Sequence, residues 1–183
     1  MRRHTNILIL LLLTGLCISA GAQNNPYKID DSLYPIFQRA IKWRTQPQGL
    51  LIADTLYAEA TQKKDKKAQC LALTIPVSFY LSTNNYEKLE QAATRAKEEA
   101  RKNNYLQYYY SACTNEINCL LNNGHSLRAL QKAEEMKIQA FKDQHEYGIF
   151  SCIFTLGNIY YMRQNREVAT EYYKNCLLYT SDA

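Results

Sequence analysis

Glycine and proline are scarce in this 183-residue chain, at six and four. That leaves too little turn material for a β-sandwich or barrel, which needs a turn every ~8–12 residues. No segment alternates apolar and polar residues long enough to predict a strand. The motifs of catalysis are missing too: there is no phosphate-cradling P-loop, no G-x-G-x-x-G, no G-x-S-x-G and no H-E-x-x-H. Histidine is rare. His125 and His145 fall at expected turns, as solvated loop residues with no Asp or Cys at triad or ligand spacing. Glu98-Glu99 and Glu134-Glu135 are adjacent pairs, and adjacent helical residues do not face each other, so neither pair makes an acid–base site. The expectation is a non-enzymatic protein with no cofactor and no metal.

A strong charge of one sign is also lacking. Removing Arg2 and Arg3 with a leader segment turns 22 basic residues into 20, against 17 acidic ones. The lysines are scattered rather than striped, so nucleic acid is not an expected partner. Residues 1–22 have the layout of a secretory signal peptide: a basic start, an apolar run from Ile7 to Leu13 continuing to Ile18, and Ala20-Gly21-Ala22 before Gln23. The run is short for a membrane span of about 20 residues. Cys17 follows Leu16 rather than the small residue a lipoprotein signal needs, so lipidation is not expected. Export to the periplasm is.

Five cysteines remain, and no two have C-x-x-C spacing. They read as small core residues. An exported context also permits disulfides, with Cys113 and Cys152 placed to bridge.

What the chain does have is tyrosine, 15 in all, and a repeat. Leu89, Ala129 and Ala169 stand forty positions apart, as do Tyr80, Leu120 and Tyr160. Leu73, Cys113 and Ile153 keep the step, and so do Ala93, Ala133 and Tyr173. One step earlier Ala40 and Ala53 fit, but Gly49 replaces Leu89, so the first unit is degenerate. Between the columns lie turn signals at Asn84-Asn85, Asn103-Asn104, Asn122-Asn123-Gly124, Asp143-Gln144-His145 and Arg163-Gln164-Asn165. Eight helices in four hairpins follow, with a polar lead-in over 23–31. Ser32 is expected to cap the first helix, whose stripe is Leu33, Ile36, Phe37, Ala40 and Ile41. Pro47 opens the second, with Leu51, Ile52, Leu56 and Ala60 buried, and Pro76 is expected to kink the third.

The best unit runs from Leu156 to Tyr173: Leu156-Gly157, Tyr160 three residues on, then Ala169 and Tyr173 on the next helix. This resembles the tetratricopeptide repeat. The resemblance implies an all-α, right-handed solenoid of about four antiparallel hairpins over 32–179, with repeats near 32–66, 67–104, 105–144 and 145–179. It implies a concave face lined by first helices, carrying Thr74, Ser78, Leu81, Thr114, Asn118, Leu121, Phe154, Asn158 and Tyr161. Such modules bind proteins or peptides. A glycan is the alternative, with Phe154 and Tyr161 stacking and Asn118 and Asn158 hydrogen bonding. A carboxylate clamp is not implied, since Thr74, Thr114 and Phe154 stand where its cations belong. The chain is similar to exported repeat regions of membrane-anchored regulators in the Bacteroidota, which implies an input module whose membrane span and output domain lie downstream. The end, from Cys176 to Ala183, resembles a translated sequencing-adapter tail, so 180–183 are expected to be foreign.

Overall fold

A computed structural model of the protein describes residues 25–181, with side chains through Cys176. The expected signal peptide lies outside them, as do the last two residues of the expected foreign tail. The described residues form eight helices and no strand. These are α1 (Tyr34–Lys42), α2 (Pro47–Gln62), α3 (Lys66–Ser82), α4 (Tyr86–Lys102), α5 (Leu106–Asn122), α6 (Ser126–Lys142), α7 (Glu146–Met162) and α8 (Arg166–Ser181).

A twenty-residue module underlies the forty-residue repeat. Lys64, Asn84, Asn104, Gly124, Gln144 and Gln164 all have positive φ, each twenty positions after the last. The next residue donates its N–H to a carbonyl five positions back: Asp65 to Ala60, Asn85 to Tyr80, Tyr105 to Ala100, His125 to Leu120, His145 to Ala140 and Asn165 to Tyr160, at 2.8–3.1 Å. This closes one helix with a left-handed cap. The same residue opens the next helix. Asp65, Asn85, His145 and Asn165 accept from the N–H of the third residue on. One short turn therefore stops a helix and starts another, and asparagine suits it because it tolerates both the left-handed conformation and the cap.

Each helix packs on the next, and the odd helices also pack on one another, α1 on α3, α3 on α5 and α5 on α7. Among the described residues the even helices keep their backbones apart and meet only through side chains, as where Arg128 of α6 donates to the Tyr86 hydroxyl of α4 at 3.1 Å. A two-layer array whose odd members touch while its even members stand apart curves toward the odd layer. The fold is thus an all-helical, solenoid-like array. The expected columns supply the hairpin contacts: Leu89, Ala93, Leu120, Ala129, Ala133, Leu156 and Ala169 are all buried. Gly157 lets the two helices close up, because a Cβ there would lie 2.6 Å from a Tyr173 ring carbon and the ring would have to shift. Leu73 is buried, while Tyr80 and Tyr160 are half-buried, their rings set against Phe79 and Tyr172.

Three local expectations need correction. Ser32 does not cap α1; the Asp30 carboxylate accepts both its N–H and its hydroxyl, and Leu33 takes the cap position. Leu51 is 71% exposed, because the buried face of α2 is Gly49, Ala53, Leu56 and Ala60 and position 51 points about 200° away from position 49. His145 is not a solvated loop residue: its Nδ1 caps α7 and its ring stacks on Tyr110 at 5.2 Å. Elsewhere α3 runs unbroken through Pro76, with buried Ile75 and Val77 on either side. Among the described residues no two cysteines form a disulfide, and all five are buried. Burial pushes the Cys113 thiol up to about 11 and those of Cys70 and Cys152 to about 12, so none is a ready nucleophile.

Candidate binding groove

Across the last turns of α3, α5 and α7 lies a groove of about 430 Å³. Asn118, Asn122 and Asn158 supply its polar lining. Leu81, Leu121, Tyr161 and Met162 supply the apolar part. The forty-residue step puts one of each kind at equivalent places on successive first helices. Of the nine residues expected on the concave face, Leu81, Asn118, Leu121, Asn158 and Tyr161 meet here.

The remaining four do not line the groove. Thr74, Ser78 and Thr114 turn their hydroxyls back onto the carbonyls of Leu71, Thr74 and Tyr110, the usual satisfaction of a hydroxyl inside a helix. Their donors are thereby used within the protein. Phe154 lies parallel to Phe150, centroids 6.1 Å apart, and tilts against Tyr173. It is not among the residues that line the groove.

The amides differ in what they have left to offer. The Asn158 Oδ1 accepts the Tyr173 hydroxyl at 2.9 Å, which fixes its orientation. Asn118 and Asn122 make no side-chain hydrogen bond to any described partner, so they present both donor and acceptor to the groove. No carboxylate, amine, imidazole or thiol lines it. The three helix C-termini that form it carry the negative ends of their dipoles, which disfavours an anionic guest. The groove is therefore equipped to hydrogen-bond and bury a neutral or basic segment. It holds no nucleophile and no acid–base pair.

Sequence reasoning missed a second feature, between the second helices. In the groove between α4 and α6, floored by α5, Glu116 is buried, with Lys97 of α4 at 2.7 Å on one carboxylate oxygen and Lys132 of α6 at 2.6 Å on the other. Burial opposes the Glu116 charge, but the hydrogen bonds from Lys132 and Lys97 outweigh it and hold its pKa below the usual carboxylate value. Nearer the helix ends, Arg101 pairs with Asp143 at 3.0 Å and lies 4.0 Å over the Tyr109 ring. The signal was available, since Glu116 stands in the column of Leu156 and Pro76, where a charge is out of place.

Comparison of the chain with protein-family models, with curated proteins and with solved structures finds no match. Among the described residues no helix is long and apolar enough to cross a membrane.

Proposed function

We propose that this protein is an exported tetratricopeptide-type module that binds an extended segment of another protein along the groove of its first helices. One observation carries the reading: Asn118 and Asn122 present unused amides beside Leu81, Leu121 and Tyr161, with no acid, base or nucleophile among them. Amides of this kind pair with peptide N–H and C=O groups, and the flanking apolar residues bury side chains of the same strand. The right-handed form of the array belongs to the same reading, supported by the forty-residue columns and the contacts between successive first helices. Export is supported by the layout of residues 1–22. A role as the input part of a longer signalling or transcription-regulating protein is supported by the resemblance to exported repeat regions of that kind.

The test is selection of binding peptides from a displayed random library with the full chain, followed by titration. Neutral or basic peptides are expected. Asn118→Ala/Asn122→Ala should weaken them by about tenfold or more, with helical circular dichroism unchanged. Undiminished binding by the double variant sinks the assignment. So does an empty peptide selection beside a positive glycan array, which would move the groove to carbohydrate.

A further inference from the structure

The turn that closes α5 carries a reactive bond. Asn123 is the only asparagine in the chain followed by glycine. Glycine has no side chain to shield its backbone nitrogen, which leaves that nitrogen free to attack the preceding side-chain amide. Water reaches the pair, since Asn123 is half-buried and Gly124 exposed. Both reacting groups are nevertheless engaged. The Gly124 N–H donates to the Leu121 carbonyl at 3.0 Å. The Asn123 amide donates to the Cys119 carbonyl at 2.8 Å and to Asn84 Oδ1 at 3.0 Å, and Asn84 Nδ2 faces Asn123 Oδ1 at 3.4 Å. Asn84 lies in the equivalent turn one repeat earlier, so the two side chains clasp one turn to the other.

We propose that Asn123 is a site of spontaneous deamidation, and that the clasp to Asn84 sets its rate. The Gly124 nitrogen gives its proton to solvent and adds to the Asn123 side-chain carbon Cγ. That carbon then expels Nδ2, which takes up a proton and leaves as ammonia. One C–N bond forms, one breaks, and nothing is oxidised. Water opens the resulting cyclic imide at either carbonyl, leaving aspartate or isoaspartate at position 123. The first step needs the Gly124 N–H released from Leu121, and the second needs Nδ2 released from Cys119 and Asn84. The folded turn therefore holds the reaction back, and opening of the turn admits it.

The inference goes beyond the peptide groove and is independent of what the groove binds. The product cannot restore the clasp. A carboxylate has no N–H to donate to the Cys119 carbonyl or to Asn84, and it sits at the negative end of the α5 dipole. Isoaspartate also adds a methylene to the backbone of a turn whose next residue is held at a φ of 76°. Each event thus loosens the contact that slowed it, and refolding does not reverse it. Asn103 supplies an internal comparison. It occupies the same place at the end of α4 and donates to the Glu99 carbonyl at 2.8 Å, but the residue after it is Asn104.

The test is to incubate the full chain in warm neutral buffer and follow position 123 by peptide mapping with mass spectrometry. Conversion in unfolding urea should be about tenfold or more faster than in the native chain, with Asn103 slow in both. Asn84→Gly removes the clasp and suits the positive φ of position 84, so helical circular dichroism should be unchanged. It should raise the native rate about fivefold, and hydrogen exchange of the Gly124 N–H should rise in proportion. Equal rates in native buffer and urea overturn the proposal, as does a folded Asn84→Gly variant converting no faster than the parent. If Asn84→Gly fails to fold, the parent decides. Below its unfolding transition, urea should speed conversion and Gly124 exchange together, and conversion that rises without exchange sinks the gating.

Discussion

The grooves between α4 and α6 and between α6 and α8 are built on the same columns and hold opposite chemistry. In the first, Lys97, Glu116, Lys132 and Arg101 lace three helices together across a cavity of about 220 Å³. In the second, Leu156 replaces Glu116, Tyr172 replaces Lys132 and Phe141 replaces Arg101, and the groove is wider, about 470 Å³. Lys137, the counterpart of Lys97, turns instead to Glu134 on its own helix and lies 5.9 Å over the Tyr172 ring. One backbone plan thus accepts either an ionic or an apolar seam, because the seam lies between second helices whose backbones stand apart and is filled by side chains.

The largest effect expected is from breaking the ionic seam at its centre. Glu116→Ala leaves two half-buried ammonium groups unpaired and should destabilise the protein by about 3 kcal/mol, read from urea unfolding midpoints. Converting most of the seam instead of breaking it, with Glu116→Leu/Lys132→Tyr after the second groove, leaves Lys97 alone unpaired and should cost clearly less, about 1.5 kcal/mol. If the double variant is as unstable as Glu116→Ala, the two seams are not interchangeable. Acid separates them further. Glu116 has a lower pKa folded than unfolded, so its stabilisation is complete above the unfolded value of about 4.3 and disappears as pH falls through the folded one. The parent should therefore lose more stability than Glu116→Leu/Lys132→Tyr between neutral pH and pH 3, measured by thermal melts.

Smaller effects are expected from the two glycines under aromatic rings. Gly148→Ala drives a methyl into Tyr110, fully buried and held by Asp143, and should cost about 2 kcal/mol. Gly157→Ala meets Tyr173, which is half-buried on the last helix and freer to shift, and should cost about 1 kcal/mol. The reverse order in denaturant melts would mean the last hairpin is the stiffer one. The smallest contrast is in the column shared by Arg101 and Phe141. Arg101→Ala loses a part-exposed ion pair and a ring contact, about 1 kcal/mol, whereas exposed Phe141→Ala should stay within about 0.5 kcal/mol.

Much of the architecture was legible because it is local. Asn84-Asn85 and Asn103-Asn104 mark turns through their own conformational preferences, and Leu89, Ala129 and Ala169 repeat because the same hairpin contact recurs. The local failures have local physical causes: Asp30 captured Ser32, and a glycine-centred face on α2 turned Leu51 outward. The groove was half legible. Its columns were readable, but the hydroxyls of Thr74, Ser78 and Thr114 satisfy their own helix, leaving the Asn118 and Asn122 amides as the available groups.

By itself the sequence determined the helices, their turns and the forty-residue register, since these rest on contacts within about five residues or on one repeated column. Only the tertiary structure decided the rest. Lys97 and Lys132 meet Glu116 from two helices whose backbones stay apart, and His145 stacks on a tyrosine one hairpin back. Such pairings depend on where whole helices lie in space, and no local preference encodes that.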